Sequence, residues 1–193
     1  TVQSDGYTLN GYIIKPVDFD PSKKYPVIMN QYSGPGSQQV LNRWSMDWQE
    51  YFATQGFIVA CVDGRGTGGR EKAFQSTVYQ NLGKYETIDQ IAAARYMASL
   101  PYVDAERLVM TGHSMGGKCC TSAVKWAGAG GSADIKAMVI AGTDPTYQDD
   151  DGNWINYYGN RDVCLIAARY DDFEYHGSAI HGPWYNAPRD YWK

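Results

Sequence analysis

The chemistry available to this chain gathers around one serine. Gly112-His113-Ser114-Met115-Gly116 fits the pattern Gly-x-Ser-x-Gly, and Gly117 extends it. An apolar run, Arg107 to Met110, leads into the motif, and a helical pattern, Lys118 to Trp126, leads out. A strand turning sharply into a helix strains its turn residue, and small residues two places to either side let strand and helix approach. The turn lifts the Ser114 hydroxyl clear of the sheet's carboxyl end. It also sets the Met115 N–H at a helix N-terminus, a place to hold an oxyanion.

A serine hydroxyl is a poor nucleophile at neutral pH. It needs an imidazole as base and a carboxylate to orient that imidazole. His113 adjoins Ser114, but neighbouring residues on such a turn point apart, so it is read as a packing residue. Serine hydrolases built on a strand–serine–helix turn run in the order Ser, acid, His. Val163 to Ala167 is a late strand, and Asp171-Asp172 in the turn after it is the candidate acid pair. The candidate bases beyond it are His176 and His181.

The elements that must position these groups alternate. Leu9 to Lys15 is an alternating strand. Pro26–Asn30, Phe57–Val62, Arg107–Met110, Ala137–Ile140 and Val163–Ala167 are short apolar strands. Helical patterns cover Trp44–Gln55, Glu86–Leu100 and Lys118–Trp126, the second with Ile88, Ile91, Ala92 and Arg95 on one stripe and charges elsewhere. This alternation predicts one α/β domain over residues 1–193, a mostly parallel sheet with helices on both faces. The 193 residues, 44% hydrophobic, suffice for a substantial core. A net charge of -4 argues against nucleic acid as a partner. No apolar run approaches the ~18 residues of a membrane span. Cys61, Cys119, Cys120 and Cys164 lack metal-ligand spacing and read as structural thiols, so no metal or cofactor is expected. The chain begins at Thr1 with no signal-peptide pattern, as a fragment or mature product would.

Three further motifs stand before the serine: Gln31-Tyr32-Ser33-Gly34-Pro35-Gly36-Ser37-Gln38, Val62-Asp63-Gly64-Arg65-Gly66-Thr67-Gly68-Gly69, and Leu82-Gly83-Lys84-Tyr85-Glu86 with Asp89 to Arg95 behind it. In this order they resemble the catalytic α/β-hydrolase domain of the prolyl oligopeptidase family, dipeptidyl-peptidase branch, over about residues 7–117. The resemblance implies that Tyr32 donates its phenolic hydrogen to the oxyanion beside the Met115 N–H. It favours Asp171 over Asp172 as the acid and, through His181-Gly182, His181 over His176 as the base. It also implies tyrosines lining a proline pocket, with Tyr147 nearest the matching point, and an exported or periplasmic setting.

Beyond Gly117 the likeness shifts. The Gly-His-Ser-Met-Gly elbow resembles those of lipases, esterases and acyl-transferases, and residues 135–173 are similar to esterase-like bacterial hydrolases, as in a hybrid, truncated or engineered chain. His181 follows Asp171 by ten residues, where the family fits a further helix and strand, so those last elements are expected to be missing. Ten extended residues still reach about 33 Å. The chain has no room for the family's propeller domain. The expected function is a peptidase-like serine hydrolase acting on a peptide or small ester. The alternatives are a small-ester carboxylesterase and a catalytically inactive α/β-hydrolase scaffold.

Overall fold

The computed structural model describes residues 1–128, 134–142, 146–148, 154–156 and 162–166, with side chains to residue 123 and over 134–142. Its strands are β1 (Val2–Ser4), β2 (Tyr7–Ile14), β3 (Tyr25–Asn30), β4 (Ile58–Asp63), β5 (Val103–His113), β6 (Ala137–Ala141), β7 (Thr146–Gln148), β8 (Trp154–Asn156) and β9 (Asp162–Ile166). The helices are α1 (Trp48–Thr54), α2 (Lys72–Ser76), α3 (Lys84–Ala98) and α4 (Met115–Gly128). Seven strands form one sheet in the order β1-β2-β4-β3-β5-β6-β9, and β7 pairs with β8 apart from it. The pairs from β4 through β3, β5 and β6 to β9 are parallel, while β1 and β2 run antiparallel at one edge. This is the α/β-hydrolase fold, and it places the carboxyl ends of β4, β3 and β5 side by side.

The strand residues explain the layers. Val27 and Met29, Ile58, Ala60 and Val62, Leu108 and Met110, and Met138 and Ile140 alternate along four neighbouring strands and share one face. Ala93, Ala94 and Met97 of α3 and Cys120 and Ala123 of α4 belong to the same core cluster. Val59 and Cys61 point the other way, where α1 lies against β2 and β4. Every residue of β4 is buried, as a strand covered on both faces must be.

Several boundaries differ from the sequence reading, each for a local reason. α1 begins at Trp48 rather than Trp44 because Asp47 caps it. The Asp47 carboxylate accepts the Gln49 N–H at 2.9 Å and Glu50 reaches back to the Asp47 N–H at 2.8 Å, a capping box. α4 begins at Met115 rather than Lys118 because the Ser114 carbonyl already accepts the Lys118 N–H at 3.0 Å. β5 extends back to Val103, which pairs with Tyr25 across a bulge.

The helix α3 corrects the pattern more deeply. Arg95 is exposed, and Ile88, Ile91 and Ala92 are only half-buried. The buried face carries Glu86, Thr87, Asp89, Gln90, Ala93, Ala94 and Met97. Its first two turns are polar because polar partners await them. Asp89, fully buried, accepts from the Arg65 backbone N–H at 2.6 Å, from Arg65 Nη2 at 2.8 Å and from the Ser4 hydroxyl at 2.6 Å. Arg65 is itself only 2% exposed, its guanidinium standing over the Tyr7 and Tyr85 rings. Gly64 is required here, since a Cβ would lie 2.9 Å from that of Asp89. Among the described residues no helix is long and apolar enough to cross a membrane.

Removing the Asp89 charge leaves the buried guanidinium of Arg65 only the exposed Asp5 carboxylate at 3.0 Å, and breaking such a buried pair typically costs about 3–5 kcal/mol. Asp89→Asn should therefore lower the unfolding free energy by about that amount, read by urea denaturation. A loss below about 1 kcal/mol would mean that Arg65 finds water or another acceptor.

Candidate active site

The turn at Ser114 is built by close backbone approach. Ser114 has φ +52°, a left-handed conformation that disfavours residues with a Cβ and needs support from its surroundings. The support comes from both sides: its N–H donates to the Ala141 carbonyl of β6 at 2.8 Å, and its carbonyl accepts the first bond of α4. The flanking glycines are steric necessities. A Cβ at Gly112 would fall on the Gly116 carbonyl group, and a Cβ at Gly116 would fall on the Gln31 carbonyl oxygen. Ser114 and Met115 are half-buried at the rim. The Met115 N–H opens α4, where the first-turn donors have no intrahelical acceptor and the helix dipole favours negative charge.

The segment after β3 lies directly against this turn. The Gln31 N–H donates to the Thr111 carbonyl at 3.1 Å. The buried Gln31 side chain reaches under the turn, where its Nε2 donates to the Gly116 carbonyl and, at 3.1 Å, to Cys120 Sγ. Its Oε1 accepts the Ser33 hydroxyl at 2.7 Å. Ser33 Oγ in turn accepts from Gln90 Nε2 at 3.2 Å, and Gln90 also donates to the Val62 carbonyl at 2.8 Å. A continuous hydrogen-bonded chain thus runs from α3 to the serine turn. Tyr32, between Gln31 and Ser33, is half-buried, its ring lying where a side chain on Gly34 would have to go.

A second set of bonds ties this loop to the one after β4. The Gly36 N–H donates to the Gly66 carbonyl at 2.8 Å and the Gly68 N–H to the Ser37 carbonyl at 2.6 Å. Asp63, at the end of β4, accepts the Gln39 N–H at 3.0 Å and the Val40 N–H at 2.7 Å. Burial pushes its carboxyl above the usual range, and these two donors oppose that rise.

Cys61, Cys119 and Cys120 do not compete with the serine. Burial, and then the charge of Asp63, push Cys61 up to about 12. Burial likewise pushes Cys120 up to about 12 against the donor from Gln31. Cys119 is raised further, by burial first and then by Glu86. Such groups stay protonated at neutral pH and are inert.

Of the expected site residues, Ser114, Met115 and Tyr32 come together at the carboxyl ends of β3 and β5. Tyr147 is on β7, paired with Ile155 of β8. Asp171, Asp172, His176 and His181 lie outside the described residues. His113, expected as a packing residue, is exposed, because it follows Val109 and Thr111 on the less buried face of β5. Gln31, Ser33, Asp63 and Gln90 were not singled out by the sequence reading, although all stand in or beside its motifs. The available signal for Gln31 was an amide directly after the expected strand Pro26–Asn30, at a strand end that must meet other backbone.

An α/β-hydrolase fold with a strained serine at the β5–α4 turn defines the class. The model of the prolyl oligopeptidase family matches residues 44–141, and the chain belongs to that family. "Probable dipeptidyl-aminopeptidase B" of Uncinocarpus reesii is 48% identical over 118 residues, covering 61% of this chain and 13% of that protein. The protein of the same description from Grosmannia clavigera is 51% identical over 104 residues, 53% of this chain and 11% of that one. The chain therefore spans only a small part of the length of these relatives. Among solved structures, dipeptidyl peptidase 4 of Porphyromonas gingivalis superposes with a TM-score of 0.69 at 45% identity, covering 75% of this chain and 20% of that one. Acylaminoacyl peptidase of Pyrococcus horikoshii shares the fold, with a TM-score of 0.62 at 23% identity over 75% of this chain and 23% of that one.

The steric fit at the turn makes a direct forecast. Gly116→Ala should cost about 1–3 kcal/mol, typical of forcing an atom into packed backbone. The same change at exposed, open Gly36 meets no atom within 4 Å, so only its left-handed φ of +71° opposes it. Thermal denaturation of both variants compares the two penalties, and Gly116→Ala should be the larger.

Proposed function

We propose that the chain is a serine hydrolase of the peptidase kind, working through an acyl-enzyme on Ser114. The observation that carries this is the Ser114 turn itself: a left-handed serine at the head of a helix, braced against the loop that bears Tyr32. A strained serine beside the first-turn N–H groups of α4, which have no intrahelical acceptor, suits attack on a carbonyl. In this reading His181, oriented by Asp171, takes the Ser114 proton as Oγ bonds to the substrate carbonyl carbon. The carbonyl electrons move onto oxygen, which the Tyr32 hydroxyl and the Met115 N–H hold. Collapse of that intermediate breaks the scissile bond, and His181 returns the proton to the leaving amine or alcohol. Water, deprotonated by the same imidazole, then releases the acyl group and restores the serine.

The substrate class follows from the relatives, whose names describe dipeptidyl aminopeptidases; we assign this chain a peptide or small-ester substrate, with Tyr147 contributing to its binding. The small-ester alternative draws on the Gly-His-Ser-Met-Gly elbow. An activated ester needs less help for its leaving group than an amide does, and so tolerates a loosely held base.

A fluorophosphonate probe should label the folded chain, and Ser114→Ala should abolish the label. Tyr32→Phe should retain labelling while lowering kcat for p-nitrophenyl acetate about a hundredfold to a thousandfold, as loss of one oxyanion donor does. Hydrolysis of a Gly-Pro anilide separates peptidase from esterase. A folded sample that takes no label at Ser114 removes the proposal.

A further inference from the structure

Two buried oxygens on α3 have no hydrogen-bond partner: Oε1 of Glu86 and Oε1 of Gln90. Both residues are 0% exposed, and they stand four positions apart, neighbours on one helix face. Neither group can turn to find a donor. Glu86 Oε2 accepts the Gly83 N–H at 2.9 Å, which anchors the carboxyl group to the start of the helix. The Gln90 amide is oriented by the Val62 carbonyl, which can only accept, so Nε2 must face it at 2.8 Å and Oε1 must face away. Two acceptors therefore share one buried face without a donor between them. A proton on Glu86 Oε1 turns one of them into a donor and supplies the other.

We infer that Glu86 is a neutral carboxylic acid in the folded protein at neutral pH, donating from Oε1 to the Gln90 amide oxygen, and that this proton makes it a positioning residue for the Tyr32 loop. The path is Glu86 to Gln90, Gln90 to Ser33, Ser33 to Gln31, and Gln31 to the Gly116 carbonyl. Gln90 is thereby held at both ends of its amide rather than one. The inference concerns the loop's support and does not require Ser114 to be reactive.

The surroundings of Glu86 act in this direction. Burial is the largest influence and raises its carboxyl above the usual range, while the backbone N–H groups of Glu86 and Gly83 oppose the rise. Asp89 on the same helix adds to it. Arg65, from the loop after β4, acts the other way, but its guanidinium is committed to Asp89 and Asp5. Cys119, facing from α4, is held as a neutral thiol. A carboxyl raised on folding keeps a proton that the unfolded chain has already released. Its contribution to stability is therefore full at pH below the ordinary glutamate value and is lost as pH rises through the higher folded value.

The test is Glu86→Gln in the full chain, since an amide can accept from Gly83 and donate to Gln90 without titrating. The melting temperature of the variant relative to wild type should rise with pH across that window and be level beyond it. The infrared spectrum of wild type at neutral pH should contain a carboxylic-acid carbonyl stretch that the variant lacks. A wild type with no such band, or a Glu86→Gln protein that fails to fold or falls further behind as pH rises, overturns the inference. In the first case Glu86 is ionised and its spare oxygen is satisfied by a buried water or cation.

Discussion

The contact on which this structure turns is backbone against backbone: the Gln31 carbonyl against Gly116, and the Gly116 carbonyl against Gly112. Three chain segments meet at the carboxyl edge of the sheet with only the Gln31 amide reaching in among them. Glycine alone fits at 112 and 116, and with the helix so close to the strand, Ser114 is driven to positive φ. The strain at the serine is a consequence of how tightly β5, α4 and the loop after β3 are drawn together. The motif's glycines and its serine conformation thus have one cause. Separating the strand from the helix would relax the serine and release Tyr32 together.

Backbone packed this closely leaves little room for solvent, so its polar groups need partners from within. Gln31 answers most of that need, bonding to Thr111, Gly116, Cys120 and Ser33 from one residue. A glutamine can do this because it carries donor and acceptor on one flat group. α3 continues the same logic, presenting Gln90 to Ser33 and Val62, and Asp89 to Arg65. The first half of the helix is therefore a polar spine behind the site, and its apolar contribution comes from the second half: buried Ala93, Ala94 and Met97, with Ile91, Ala92 and Ala98 packed half-buried against the core. Such a spine specifies where the loop lies more sharply than an apolar face would, since each bond fixes a direction as well as a distance.

This arrangement also sets what could be read in the residues. β3, β4 and β6 were legible because inner strands of a parallel sheet are written as unbroken apolar runs, and Val27–Met29, Ile58–Val62 and Ala137–Ile140 are such runs, although only β4 is buried on both faces. The Ser114 turn was legible because a strained strand-to-helix turn demands small residues on either side, whereas Tyr32 was singled out only through the resemblance of its loop. The buried face of α3 was hidden because apolar periodicity is blind to a helix that buries Glu86, Asp89 and Gln90. Only the partners, Arg65 and Ser33, reveal that face, and they lie 24 and 57 positions away in the chain from the residues they meet. α2 escaped for a different reason, being only five residues long after a glycine-rich loop, too short to show a period.

The sewing of the loops after β3 and β4 has its own consequence for how the site tolerates strain. Gly36 to Gly66, Gly68 to Ser37, and Asp63 to Gln39 and Val40 join two segments that separately would be free surface loops. Each bond is worth little alone, about 1 kcal/mol, but they act in concert on a segment only ten residues long. The loop that bears Tyr32 is held from below by Gln31 and Ser33 and from the side by Asp63, so it cannot move without breaking bonds on two fronts. Tyr32, proposed as an oxyanion donor, draws on this rigidity, since preorganisation is what makes a single donor effective. The glycines that look like flexibility in the sequence are here the means of rigidity: Gly68 brings its backbone within reach of Ser37 because a side chain would strike the Gly36 carbonyl.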